Sequence, residues 1–150
     1  SLFEGTLSRM VTLAVFMPVV AGLGGNAGTQ TLTLITRGIA LGELSFSNAW
    51  RALVKESTVA LANGIAIGVV MAVGTYLWKG DWMLGIVLGL ALIINMFVAG
   101  AVGTMVPVLL KRAGVDPAVA SGIIVTTFTD CCGFFSFLGL ATLALRYFHI

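Results

Sequence analysis

Trp82 to Leu110 reads WMLGIVLGLALIINMFVAGAVGTMVPVLL, 29 residues without one charged side chain. Coiled as an α-helix, this stretch is about 43 Å long, more than the ~30 Å hydrocarbon core of a bilayer. Working outward from it, no charge occurs from Ser57 to Trp78 or from Met10 to Thr36, and the stretch from Pro117 to Leu145 holds one, Asp130. A charged side chain at the bilayer centre costs at least ~2.5 kcal/mol, so uncharged stretches mark the spans. They predict an all-α membrane protein, a bundle of four transmembrane helices over residues 10–36, 57–78, 82–110 and 117–145. Lys79-Gly80-Asp81 reads as a tight turn between Trp78 and Trp82, residues suited to the interfacial aromatic belt. Arg37 to Glu56 reads as a loop or surface helix, and Lys111 to Asp116 as a short loop.

Composition agrees. Of 150 residues, 59% are hydrophobic and 9% charged, and the mean hydropathy is +1.08. Soluble domains carry about 25% charged residues, so this chain lacks the polar side chains to cover a wet surface, and its natural partner is the lipid bilayer. Eight Lys and Arg against six Asp and Glu give a net charge of +2. The basic residues are scattered, which leaves no run to follow a nucleic-acid backbone. Cys131 and Cys132 are adjacent in an apolar stretch, a pattern for packing and not for a disulfide framework or a zinc site. Ser1-Leu2-Phe3-Glu4 has neither an initiating Met nor a basic leader, so the start reads as a cut end inside a longer protein. Arg37, Arg51, Lys55, Lys111 and Arg112 lie on one side of the four spans, and Arg9, Lys79 and Arg146 on the other. Basic residues favour the cytoplasm, so the expected topology is multi-pass in the cell membrane, the cytoplasmic membrane in a bacterium, with both termini outside.

Asp130 is the residue that asks for chemistry. A carboxylate inside a span is protonated, paired with a base, exposed to a water-filled path or bound to a cation. No Lys, Arg or His lies in another span to pair with it. Thr126 and Thr127 fall four and three residues before it and Gly133 three after, on or beside its helix face, which makes that face narrow and polar. The second concentration is Pro18-Val-Val-Ala-Gly-Leu-Gly-Gly-Asn-Ala-Gly-Thr-Gln30 in the first span. Pro18 and the glycines predict a kink or an opening of that helix, and Asn26 and Gln30, one turn apart, add polar groups to one side. Such backbone survives at membrane depth where it is buried or lines water. Gly22 to Ala27 also fits a loose dinucleotide fingerprint, but the strand and helix setting that gives the fingerprint its meaning is missing. Pairs of small residues one turn apart, Gly64 with Gly68 and Gly85 with Gly89, predict close helix packing. Asn95 suits either a hydrogen bond across helices or the pathway, and terminal His149 is given no role.

These two motifs, together with Asp116-Pro117-Ala-Val-Ala-Ser121 ahead of Thr126-Thr127-Phe-Thr-Asp130-Cys-Cys-Gly133, resemble the membrane domain of the MgtE family of magnesium channels, which has relatives among animal carriers. The resemblance covers essentially the whole chain. It implies a homodimer with a pore along the subunit interface, in which Asp130 binds Mg²⁺ and the carbonyl of Thr126 is a further contributor. It also implies that Gly25, Asn26 and Gln30 lie close to the pore, beside the face that carries Thr127 and Gly133. The family has five membrane helices, preceded by a cytosolic acidic domain and paired CBS domains that gate the channel. None of these precedes Ser1 in this sequence.

Mg²⁺ prefers oxygen ligands and sheds its waters reluctantly, so a permeation site is expected to hold it largely through water. One Asp130 from each of two chains would match its charge, with Mn²⁺ or Co²⁺ as other ions of the same class. The leading expectation is therefore a passive Mg²⁺ channel and not an enzyme. A Na⁺- or H⁺-coupled divalent cation exchanger is the alternative. An intramembrane aspartyl protease would need two carboxylates sharing a proton, where one chain offers one in a span.

Overall fold

The computed structural model describes residues 4–147, with side chains over residues 11–146. Leu2, Phe3 and His149 lie outside the described residues. Four helices follow one another: α1 (Glu4–Ala40), α2 (Ala49–Lys79), α3 (Trp82–Arg112) and α4 (Pro117–Tyr147). Each is long and apolar enough to cross a membrane, and the architecture is an all-α membrane bundle.

The breaks between helices are chemically explicit. Gly80 ends α2 at φ +70°, a left-handed conformation that favours glycine, and its N–H donates 2.8 Å to the Tyr76 carbonyl. Asp81 then caps α3, accepting from the backbone N–H groups of Met83 at 2.9 Å and Leu84 at 3.1 Å. Gly114, at φ +78°, closes α3, and the Val115 N–H returns to the Leu110 carbonyl at 2.9 Å. Pro117 opens α4 where a missing N–H costs nothing, while the Asp116 carboxylate accepts from the Ala118 N–H at 2.9 Å.

α3 is the hub. Just over half of its membrane-length window is buried, 56%, against 22% for each of the other three helices. It packs against α1, α2 and α4; α1 and α4 also pack together, while α2 leans on α3 and scarcely touches α1. The glycine pairs serve this packing: a Cβ at Gly68 would stand 2.8 Å from the Gly89 carbonyl oxygen, and one at Gly85 2.6 Å from that of Ala72. Lipid tails supply no apolar driving force for helix association, so backbone contact through small residues replaces it. Phe16, Val20, Leu88, Leu92 and Phe137 fill the main core between α1, α3 and α4. Large apolar side chains such as Val70, Leu77, Val119, Ile123 and Phe135 point outward, as a chain solvated by lipid requires.

Two readings are narrowed. Of the kink or opening expected at Pro18, the opening does not occur: α1 is one continuous helix through Gly22, Gly24, Gly25 and Gly28. The proline removes a single N–H, and the buried glycines, Gly24 and Gly28, are held by close neighbours on α3 and α4. The segment read as loop or surface helix before Ser57 is in part the start of α2, which begins at Ala49 and carries Glu56 inside the bundle, 9% exposed.

Candidate cation site

Asp130 sits in the middle of α4, about 20 Å from the Pro117 end at 1.5 Å per residue. The residues α4 buries recur every fourth position: Ser121, Val125, Thr129, Gly133, Phe137 and Ala141. Asp130 is about 100° around the helix from Thr129, so it lies on the flank of the buried stripe. Its side chain is half-buried, and among the described residues it has neither a hydrogen-bond nor an ion-pair partner.

The neighbouring threonines satisfy themselves locally. Thr127 is exposed, and its hydroxyl donates 2.7 Å to the Ile123 carbonyl. The Thr126 hydroxyl is shared between the carbonyls of Gly122 at 3.0 Å and Ile123 at 3.1 Å. The Thr126 carbonyl already accepts the Thr129 hydroxyl at 3.0 Å, in addition to its helical bond. An ion could use that oxygen only if the Thr129 hydroxyl turned away.

Gly133 belongs to the core side. A Cβ there would be 2.7 Å from Asn95 Nδ2 and 3.3 Å from Val20. On α1 the Gly24 and Gly28 edge faces α3 and α4: a Cβ at Gly28 would be 2.8 Å from Val125, and one at Gly24 only 2.1 Å from Asn95 Nδ2. Asn26 is about 200° around α1 from Gly24, so it and Gln30 are exposed on the side turned away from α4. Gly25 is half-buried, and its carbonyl accepts the Thr29 hydroxyl at 2.8 Å. Within one chain, Asn26, Gln30 and Asp130 thus occupy different faces; Thr126 and Thr127 alone join Asp130 on its flank.

Asn95 settles into one of its two readings. It is fully buried and donates from Nδ2 to the Val20 carbonyl at 2.8 Å, tying α3 to α1, while its Oδ1 has no partner among the described residues. Its place is the gap left by Gly24 and Gly133, both lacking side chains. Sequence spacing does not show this, since the three residues come from three helices.

Among the described residues no three His, Cys, Asp or Glu side chains gather to hold a metal. If a cation bound at Asp130, this carboxylate would be its single anionic ligand from one chain, and the remaining coordination would have to come from water, carbonyls or a second copy of the chain.

Comparison with known proteins gives the family. A family model described as MgtE, divalent cation transporter, matches residues 17–140. The chain is 39% identical over 144 residues to the magnesium transporter MgtE of Thermus thermophilus. It is 34% identical over 142 residues to the protein of the same name from Bacillus subtilis. These alignments cover 96% and 95% of this chain and 32% of each relative, so the chain spans about a third of the length of the curated relatives it matches. With the match running through all four apolar helices and across Asp130, this chain belongs to the MgtE family of divalent cation transporters.

Proposed function

We propose that this chain forms the pore of a magnesium channel, in which two copies meet so that their Asp130 flanks face one another across a hydrated Mg²⁺. The observation that carries this reading is the unpartnered, half-buried Asp130 carboxylate in mid-helix, at a depth where an anion without a counter-charge is unfavourable. Two such carboxylates bring two negative charges to one divalent cation. Na⁺ or K⁺ would leave that pair undercompensated. The ion keeps most of its waters, touching the carboxylates and the exposed Thr127 side of α4. Asn26 of α1 faces outward to line the path against the second copy, with Gly25 beside it and Gln30 turned toward α2. Mn²⁺ and Co²⁺, similar in charge and oxygen preference, pass by the same route. Both ends of the chain face outward, because Arg37, Arg51, Lys55, Lys111 and Arg112 hold the opposite end at the cytoplasm.

Mg²⁺ uptake into liposomes containing an indicator dye tests the site, with dimerisation measured on the same samples. Asp130→Asn keeps the size of the side chain, replaces one acceptor oxygen by an NH₂ donor and removes the charge; uptake is expected to fall at least tenfold with assembly intact. Equal uptake by the two proteins would remove Asp130 from the path. A single-channel current persisting without a Na⁺ or H⁺ gradient is expected from a channel, whereas uptake that requires such a gradient would establish the exchanger.

A further inference from the structure

α1 and α2 both lean on α3 and hardly touch each other, which leaves a cleft of about 220 Å³ between them. Its polar lining comes from Gln30 and Thr31 on α1 and from Glu56 and Asn63 on α2. Glu56 is nine-tenths buried, yet among the described residues its carboxylate has no hydrogen-bond or ion-pair partner. The nearby bases in sequence, Arg51 and Lys55, are on the exposed side of α2. Glu56 lies seven residues into α2, about 10 Å from the helix start and at the edge of the uncharged span that begins at Ser57. Its carboxylate oxygens open into the cleft, and an anion held there with no counter-charge favours a cation or a proton beside it.

We infer that this cleft is a second divalent-cation site, separate from Asp130, which holds hydrated Mg²⁺ through Glu56 and the side-chain oxygens of Gln30, Asn63 and Thr31. The donor set is all oxygen, which suits a hard cation and offers nothing to a soft one. The volume decides how the ion sits. A cleft of about 220 Å³ has room for Mg²⁺ together with water, and an ion that sheds its waters reluctantly enters it hydrated. Glu56 and the amides then act on the waters and not on the metal, which keeps the ion exchangeable. Along the helix axes Glu56 is about 10 Å from the start of α2, whereas Asp130 is about 20 Å from the start of α4.

The inference rests on the proposed transport function only for the choice of Mg²⁺ as the ion, and binding can be tested without transport. Mn²⁺ serves as the probe, with bound and free ion separated by electron paramagnetic resonance on the purified protein. Wild type is expected to show a site that Glu56→Gln removes and that Glu56→Asp retains in weakened form, while the site lost in Asp130→Asn persists in both Glu56 variants. That retained site shows that Glu56→Gln remains folded. Cobalt(III) hexammine, which mimics hydrated Mg²⁺ and cannot release its ligands, is expected to displace Mn²⁺ from the Glu56 site. The same number of Mn²⁺ sites in wild type and Glu56→Gln would overturn the inference, and failure of hexammine to compete would overturn binding through water. Failure of the transport reading appears elsewhere, as undiminished Mg²⁺ uptake by Asp130→Asn.

Discussion

Gly24 and Gly25 are adjacent in one helix and differ in what surrounds them, which makes them a matched pair. A Cβ at Gly24 would stand 2.1 Å from Asn95 Nδ2 and 2.7 Å from its Cγ; a Cβ at Gly25 would meet nothing within 4 Å. Asn95 has little room to retreat, because its amide is bonded to the Val20 carbonyl at 2.8 Å and Gly133 closes the other side. Gly24→Ala therefore forces either a shift of α1 from α3 or rupture of that hydrogen bond. Overpacking of this kind costs about 1–3 kcal/mol, and a hydrogen bond between membrane helices contributes about 0.6–2 kcal/mol. Any helix-propensity gain from Gly to Ala is common to both positions and cancels in the comparison. Unfolding in mixed micelles with increasing denaturing detergent, followed by circular dichroism, reads the difference. Gly24→Ala is expected to be less stable than Gly25→Ala by about 1–3 kcal/mol. In a double-mutant cycle, Asn95→Ala should recover most of that loss, since it removes the atoms in the way. Equal stability of the two alanine variants, or no coupling with Asn95, would refute the reasoning.

Two further stability predictions follow from single contacts. Asp81→Ala removes the acceptor for the Met83 and Leu84 N–H groups, with an expected loss of about 0.5–2 kcal/mol in the same unfolding assay, whereas Asp81→Asn retains most of the cap. Thr75 is 3% exposed and its hydroxyl oxygen has no partner among the described residues; Thr75→Val removes this buried polar group and is expected to leave stability unchanged or raise it by up to about 1 kcal/mol.

The helices were legible in the sequence because the cost of a charge at the bilayer centre makes an uncharged run a physical signal, and each turn carries its own chemistry, Gly80 and Asp81 being the plainest case. The polar interior was less legible because it depends on helix phase and on partners far away in the chain. Glu56 escaped the uncharged-run reading, since a carboxylate close to a span boundary looks like loop until the helix is seen to begin at Ala49. Gly133 shows the reverse limit: a step of three residues turns about 60° around a helix, enough to carry it from the flank of Asp130 to the core beside Asn95. Asn95 itself is uncommitted in sequence, and its partner Val20 lies 75 residues away. Pro18 with its glycines suggested an opened helix, but continuity of α1 depends on the neighbours those glycines admit.

The central claim is that one divalent cation sits between two copies of Asp130. Anomalous scattering from Mn²⁺ in crystals of the protein tests it most directly. The account predicts a manganese peak on the two-fold axis, within water-bridging distance of Asp130 in one protomer and of the partner's Asp130, and its absence in Asp130→Asn. A manganese-loaded dimer with both Asp130 side chains facing lipid, and no metal between them, would contradict it.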